Sequence, residues 1–278
     1  MKGFLSPHPD GRPFVMGVLN VTPDSFSDGG RFIDVDAARD HGLALLEEGA
    51  DILDIGGEST RPGARPVDEF EEMDRVLPVI EAIRAMRPDA IVSIDTMKPD
   101  VAGAAIGAGA WMWNDVNALR GEGALDCAAD LQCAVCLMHM QGEPGSMQDA
   151  PAYENVVTEV AQFLGRRAGA AMSAGIAKEK IWLDPGIGFG KTLAHNLALM
   201  AALEHFAGFG FGLLFGASRK RFIQAIDETA GSAQDRLGGS LAAALHAARA
   251  GASIIRVHDV RETVQALKVQ AAIANAGR

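Results

Sequence analysis

The stretch Ala90-Ile-Val-Ser-Ile-Asp95 has the feature that decides the fold, a short and nearly continuous apolar run that stops at a carboxylate. Runs of this length are typical of parallel strands covered on both faces, because a half-exposed strand alternates apolar and polar residues. Seven more such runs occur along the chain. They are Phe14–Asn20, Ile52–Ile55, Ala110–Asp115, Ala134–His139, Ile181–Asp184, Phe211–Ser218 and Ser253–His258.

Stretches of helical character separate these runs, and several end at glycine, as helices commonly do. Eight strand–helix units in about 250 residues match a (β/α)₈ barrel, whereas an open doubly wound sheet usually has fewer strands. We therefore predict an α/β fold, a (β/α)₈ TIM barrel that forms a single domain over residues 1–278. The predicted helical stretches are Val35–Gly49, Glu69–Met86, Val101–Gly109, Tyr153–Gly175 and Ser240–Gly251.

The charge balance of the chain excludes several classes of partner. Its 278 residues include 25 Lys and Arg against 36 Asp and Glu, a net charge of −11, so no basic face for nucleic acid is expected. No apolar stretch reaches the roughly 18–20 residues that span a membrane. Residues 1–10 lack the apolar core of a signal peptide, so we expect a cytoplasmic protein.

The chain has three cysteines, of which Cys133 and Cys136 form a C-x-x-C pair. On a strand, residues three apart face opposite sides, so these two sulfurs could not hold a metal together. We interpret them as small buried residues.

The polar residues at the strand ends are the candidates for a functional site. In a (β/α)₈ barrel the active site lies at the mouth formed by the C-terminal ends of the strands. Any one of these residues could simply cap the next helix, but the barrel brings all of them to one mouth. They are Asn20, Asp54, Asp95, either Asn114 or Asp115, His139, Asp184, Ser218, Arg256 and His258.

These side chains suit a ligand with a nitrogen-rich ring and an anionic group. Asp95, Asn114 and Asp184 offer acceptors for adjacent N–H groups, such as those on the edge of a pterin or purine. Cations beside them suit a phosphate or pyrophosphate, since each close charge contributes roughly 4 kcal/mol at an effective dielectric near 20. The cations are Arg61, Lys220, Arg256 and His258.

Two loops after the first two strands, residues 20–30 and 56–63, are rich in glycine and small polar residues. Phe26 and Pro62 within them provide apolar surfaces that could close over a ring. The segment Asp184–Thr192 resembles a nucleotide P-loop, but that motif requires a glycine where this chain has Pro185, so we reject an ATPase interpretation.

Eight motifs in order along nearly the whole chain resemble the dihydropteroate synthases of the folate pathway. Eight motifs in register are far more specific than one. The resemblance implies a (β/α)₈ transferase that joins p-aminobenzoate to the methylene carbon of a dihydropterin pyrophosphate. The motifs lie at residues 20–30, 54–63, 93–96, 114–115, 138–139, 184–190, 218–220 and 256–258.

The resemblance also implies the residues that contact each substrate. Asp95, Asn114, Asp184 and Lys220 would hold the pterin ring, and Asn20 would ligate Mg²⁺ on the pyrophosphate. The pyrophosphate itself would contact Thr60, Arg256 and His258. The p-aminobenzoate pocket, which sulfonamides would share, would consist of Phe26, Arg61, Pro62, Ser218 and Lys220, with Met138 and Phe189 nearby.

The resemblance further implies a homodimer whose partners are these small-molecule substrates. Asp95, Lys220, Arg256 and His258 are the residues to which we assign catalysis. The mechanism expected from the residues is a dissociative substitution. An aromatic amine is mostly unprotonated at neutral pH and needs no strong base, so loss of pyrophosphate is the difficult step. Cations can assist that step by neutralising the developing charge.

Three other interpretations remain open at this point. A pterin-dependent methyltransferase shares the barrel and the carboxylates but has no pyrophosphate to bind. A non-catalytic pterin or nucleotide carrier would bind without turnover. In a purely structural interpretation, Arg256 pairs with Asp259 or Glu262, and residues 219–221 are a solvated helix start.

Overall fold

A computed structural model describes residue 5 and residues 7–22, 34–59, 65–143 and 145–276. Its eight strands are parallel and close into a barrel in chain order, with the last strand paired to the first. The predicted α/β (β/α)₈ barrel is therefore confirmed. The strands are β1 Phe14–Asn20, β2 Ile52–Gly56, β3 Ile91–Asp95, β4 Met112–Asp115, β5 Ala134–Met138, β6 Ile181–Asp184, β7 Gly212–Phe215 and β8 Ile254–Val257.

Helices follow the strands and surround the barrel. All five predicted helical stretches are helices, with ends that differ by a few residues. The eight predicted strand–helix units imply the remaining helices without giving their bounds, and several of these helices hold too few turns to display a period of 3.6 residues. The helices are α1 Val35–Glu47, α2 Glu69–Met86, α3 Pro99–Gly107, α4 Ala124–Leu131, α5 Val156–Ser173, α6 Leu193–Ala201, α7 Leu203–Ala207, α8 Arg221–Ile226, α9 Leu237–Arg249 and α10 Val260–Ala276.

Alternation along each strand divides the apolar residues into two layers. One set packs between the strands and the helices, and a separate set fills the barrel interior. Inside the barrel, Gly212 lies against Trp182, where an added Cβ would come within 2.3 Å of the indole Nε1, so only glycine fits. The interior set is Met16, Ile52, Met112, Ala134, Cys136, Trp182, Leu214 and Ile254.

The two cysteines of the C-x-x-C pair belong to different layers. Cys136 points into the barrel, and Cys133 packs in the outer layer, so the two sulfurs lie on opposite sides of the sheet, as their spacing predicts. All three cysteines are free. Among the described helices, none is long and apolar enough to span a membrane.

Candidate active site

Four side chains at the C-terminal end of the barrel form one hydrogen-bonded group. Arg256 of β8 donates from Nε to Asp54 Oδ2 at 2.5 Å and from Nη2 to Asp95 Oδ2 at 2.7 Å. Asn114 Nδ2 donates to the same oxygen of Asp54 at 3.1 Å. The strand register sets this arrangement, because Asp95 pairs with Asn114 on the neighbouring strand. The structure thus brings Asp95, Asn114 and Arg256 together, as the sequence predicted.

Burial shapes the charges of this group. Burial raises the pKa of Asp95 to about 7, with Arg256 lowering it and Asp54 raising it further. Burial opposes the charge of Arg256, but the carboxylates of Asp54 and Asp95 raise its pKa above the ordinary value. The guanidinium therefore stays charged, and Asp95 can change protonation near neutral pH.

A second group surrounds Asp184, the last residue of β6. Asp184 Oδ1 accepts the Gly186 N–H at 2.7 Å. Lys220 Nζ donates to the Ile187 carbonyl and lies 4.6 Å from the centroid of the Phe189 ring. Burial raises the pKa of Asp184 and lowers that of Lys220 to about 8, and each charge offsets part of the shift of the other.

The two groups lie within electrostatic range of each other. The charge of Arg256 lowers the pKa of both Asp184 and Lys220, and the charge of Asp95 raises the pKa of Lys220. The strand ends of β2, β3, β6 and β8 therefore present carboxyl groups and cations to one mouth, as the fold predicts.

The loop from Asp184 to Gly190 is shaped by glycine. Gly186 has a φ of +68°, and a Cβ there would lie 2.0 Å from the carbonyl oxygen of His139. Close backbone contact with the end of β5 therefore excludes any side chain at this position. His139, a strand-end candidate from the sequence, lies behind this loop, and burial lowers its pKa to about 3.

Ser218 and His258 contact each other at the ends of β7 and β8. Ser218 Oγ accepts the His258 backbone N–H at 3.2 Å and lies 3.1 Å from His258 Nδ1. The first two residues after Ser218 point in different directions. Arg219, at a φ of +59°, turns away to pair with Asp259, and Lys220 reaches the loop after Asp184.

The structural interpretation that paired Arg256 with Asp259 or Glu262 is wrong. Asp259 is instead the partner of Arg219, whose Nε donates to Asp259 Oδ2 at 3.0 Å. Arg256 faces the barrel interior and pairs with Asp54 and Asp95, because alternate residues of β8 point inward.

The choice between Asn114 and Asp115 is resolved by the same alternation. Asn114 faces inward, whereas Asp115 accepts the backbone N–H groups of Asn117 at 2.7 Å and Leu119 at 2.6 Å. Asp115 thus stabilises the turn after β4, and burial raises its pKa to about 6.

The remaining described candidates line the mouth. Met138, the last residue of β5, packs in a small apolar cluster with Val116, Met140 and Met147, and Phe189 packs against that cluster. Asn20 is the half-buried last residue of β1. Four predicted site residues lie outside the described residues. They are Phe26, Thr60, Arg61 and Pro62.

Asp54 and Lys191 are buried charged residues at this end of the barrel that have no role assigned from the sequence. Asp54 was identified only as a strand end. Lys191, which is 4% exposed, contacts His139 Nδ1 at 3.0 Å, the His139 carbonyl at 3.1 Å and the Phe189 carbonyl at 2.8 Å. Burial lowers its pKa to about 7. The only sequence signal for Lys191 was its place in the rejected P-loop segment.

The described residues offer few ligands for Mg²⁺ by themselves. Within the described residues, no three His, Cys, Asp or Glu side chains are grouped so that they could hold a metal. Asn20 offers one hard amide oxygen at the end of β1. Mg²⁺ usually keeps several waters and takes one or two protein ligands together with substrate phosphates. A single oxygen ligand such as Asn20 therefore fits an ion that arrives with a diphosphate.

The sequence and the fold have well-characterised relatives. The profile of the pterin-binding enzymes matches residues 16–258. The dihydropteroate synthase of Escherichia coli K12 is 50% identical over 264 residues, which cover 95% of this chain and 93% of that protein. These relatives therefore span almost the whole chain, including every described candidate residue.

Solved structures agree with the sequence match. The dihydropteroate synthase of Xanthomonas albilineans with 4-aminobenzoic acid superimposes with a TM-score of 0.89 at 52% identity, covering 95% of this chain and 94% of that one. The enzyme from the same organism in complex with 7,8-dihydropteroate gives a TM-score of 0.86 at 49% identity, covering 96% and 95%.

Proposed function

This chain belongs to the dihydropteroate synthases, the pterin-binding transferases of folate biosynthesis, and from that premise we propose how its barrel mouth performs the condensation. The reaction joins a dihydropterin pyrophosphate to p-aminobenzoate and releases pyrophosphate. The observation that carries the proposal is the meeting of Asp95 and Asp184 with Arg256 and Lys220 at one mouth.

The carboxyl groups and Asn114 bind the pterin ring. Asp95, Asn114 and Asp184 come from three strands and provide acceptors for the amino group and ring N–H of a pterin. Lys220 lies over the Phe189 ring and interacts electrostatically with Asp184. We assign it a contact with the pterin ring beside Asp184. The aromatic face of the pterin also gains from contact with the methionine cluster that includes Met138.

Arg256 and His258 bind the diphosphate. Arg256 points inward from β8, and His258 follows that strand directly; the family resemblance assigns Thr60 to the same diphosphate. Asn20 would hold Mg²⁺, which when bound neutralises negative charge on the diphosphate. Because Arg256 is already fixed by two carboxylates, its guanidinium does not have to be reoriented as charge develops on the leaving group.

We assign the p-aminobenzoate to the same mouth, where the segment at Ser218 lies; its other assigned contacts, in the segments after β1 and β2, fall outside the described residues. Ser218 is 8% exposed and its Oγ already accepts the His258 N–H, so we assign it to positioning rather than to nucleophilic attack. The full pocket that we assign consists of Phe26, Arg61, Pro62, Met138, Phe189, Ser218 and Lys220.

We assign a dissociative order of bond changes to the reaction. The C–O bond to the diphosphate breaks first, and the electron pair leaves with the diphosphate, assisted by Arg256 and His258. The positive charge left on the pterin is stabilised by Asp95 and Asp184. The unprotonated amine of p-aminobenzoate then forms the C–N bond and loses its proton.

One assay tests the activity directly. The purified chain is incubated with dihydropterin pyrophosphate, Mg²⁺ and labelled p-aminobenzoate, and we expect labelled dihydropteroate. Binding of the pterin without any product would instead favour the carrier interpretation. The methyltransferase interpretation would gain support only if a methylated folate, and not the diphosphate, served as substrate.

Several expectations about the chain as a whole stay predictions. They are the single domain over residues 1–278, a homodimeric assembly and a cytoplasmic location.

A further inference from the structure

Asp54 lies behind the residues that face the mouth. Its side chain is 0% exposed, whereas the side chains of Asp95 and Arg256 keep 18% and 22% of their surface exposed. A ligand that enters from the mouth therefore reaches Asp95 and Arg256 before it could reach Asp54.

One oxygen of Asp54 holds two residues to which we assign substrate contacts. Oδ2 accepts both the Asn114 Nδ2–H and the Arg256 Nε–H. We propose that Asp54 is a positioning residue for the pterin substrate, which fixes the directions in which the Asn114 amide and the Arg256 guanidinium face the ligand. This inference rests on the proposed function.

The chemistry of a carboxylate explains the positioning. An ionised carboxylate can only accept hydrogen bonds, so the Asn114 amide must turn its NH₂ group toward Asp54 and its carbonyl oxygen away. An asparagine without such a neighbour can adopt either orientation. The guanidinium of Arg256 is held at two points, by Asp54 and by Asp95, which sets the direction of its plane.

Asp115 shows what a structural carboxylate looks like in this barrel. It is equally buried, and its two oxygens satisfy two backbone N–H groups of the adjoining turn. The partners of Asp54 are instead side chains 60 and 202 residues away. Its second oxygen, Oδ1, and the hydroxyl of Ser93 on the next strand have no hydrogen-bond partner among the described residues. Asp54 therefore serves the site and not the backbone.

The test compares Asp54→Asn with Asp115→Asn in the full chain. Binding of a dihydropterin that lacks the diphosphate is measured by calorimetry, and KM is measured for both substrates. We expect D54N to bind the pterin at least about tenfold more weakly, because charge-assisted hydrogen bonds to two site residues are lost. The KM for p-aminobenzoate should change less than the pterin affinity. D115N should melt at a lower temperature but bind the pterin like wild type.

The pH profile gives a measurement that a loss of stability alone would not change. Besides its burial, the largest influences on the pKa of Asp95 are Arg256, which lowers it, and Asp54, Glu72 and Asp115, which raise it; Asp95 also interacts with the charge of Lys220. Removing the charge of Asp54 should therefore move the acid limb of kcat/KM to lower pH. This shift should be larger in D54N than in D115N.

Two results would overturn the inference. One is a pterin affinity in D54N equal to that of wild type, and the other is an equal loss in D54N and D115N. If D54N does not fold, Asp54→Glu keeps the charge and displaces the carboxylate by one methylene, and the same loss of pterin affinity is expected. An inactive wild-type chain would contradict the proposed function. An active wild type whose Asp54 variant keeps wild-type pterin affinity would contradict only this inference.

Discussion

At the scale of single residues, Asp95 and Asp184 show how position decides chemistry. Both are strand-end carboxyls, Asp184 buried and Asp95 half-buried, and desolvation raises the pKa of each. Asp95 shares Arg256 with a second carboxylate, Asp54, whereas Asp184 faces Lys220 and accepts a backbone N–H. The two acids that bracket the mouth therefore have different charged partners.

The raised pKa of Asp95 predicts a pH dependence of stability. Its pKa rises from 3.8 to about 7 in the folded chain, so the folded state holds its proton more tightly than the unfolded state does. Its contribution to the free energy of unfolding is complete below pH 3.8 and is lost as the pH rises through about 7. We expect the free energy of unfolding of wild type, relative to that of Asp95→Asn, to fall by up to about 1.4 kcal/mol per pH unit in this window.

The measurement for Asp95 is urea unfolding of both proteins at a series of pH values between 4 and 7. Parallel curves for wild type and D95N would contradict the raised pKa. The comparison between the two proteins matters here because other buried carboxyls, including Asp115 and Asp184, titrate with pKa values above their ordinary range in both.

Sequence alone could identify the strand ends but not every partner at this scale. A run that stops at Asp95 or Asp184 predicts an acid at the mouth, because the fold brings all such ends together. The partners of Arg256 could not be predicted, since Asp54 and Asp95 lie 202 and 161 residues away. The local alternative, Asp259, proved to be the partner of Arg219.

At the scale of elements, the strand register carries most of the site. Asn114 and Asp115 are neighbours in sequence, yet alternation sends one into the barrel and the other into the turn after β4. The sequence left this choice open because either residue could end the strand. The barrel pairing, which places Asn114 beside Asp95, resolves it.

The loop from Asp184 to Gly190 permits a test at this scale. Gly186→Ala would place a Cβ 2.0 Å from the His139 carbonyl oxygen and also requires a positive φ. A left-handed alanine by itself costs roughly 1–2 kcal/mol. We expect the free energy of unfolding of the variant to fall by well over this amount, because the loop must also shift. Weaker pterin binding should accompany it, since the loop carries the Gly186 N–H that holds Asp184.

Gly175 offers a matched control for this prediction. It also has a positive φ, of +104°, but nothing lies within 4 Å of an added Cβ. Gly175→Ala should therefore lower the free energy of unfolding only by the cost of a positive φ, and it should keep wild-type pterin affinity. Thermal melts and pterin calorimetry of the two variants make the comparison, and equal behaviour would contradict the close-contact explanation.

At the scale of the whole molecule, a closed barrel explains how an acidic chain binds an anionic substrate. The net charge is −11, yet Arg256 of β8 and Lys220, which follows β7, lie within electrostatic range of each other at one mouth. Composition could exclude a nucleic-acid surface, but the local cation group required the barrel to be recognised. Inside the barrel, apolar residues fill the interior and polar residues lie at the C-terminal ends of the strands, so the reactive groups are all at one end.

The dissociative order of steps gives a prediction for the complete enzyme. With dihydropterin pyrophosphate and Mg²⁺ but no amine, we expect slow release of pyrophosphate, because the charged mouth assists departure of the diphosphate before the nucleophile attacks. A coupled pyrophosphate assay under single-turnover conditions measures it. Release that strictly requires p-aminobenzoate at every concentration would indicate a concerted displacement.

The most direct measurement of the central claim is a crystal structure of this chain with dihydropterin pyrophosphate bound. The ring should lie against Asp95, Asn114 and Asp184, and the diphosphate should contact Arg256 and His258. A ring bound away from these carboxyl groups, or a diphosphate that contacts neither Arg256 nor His258, would contradict the account.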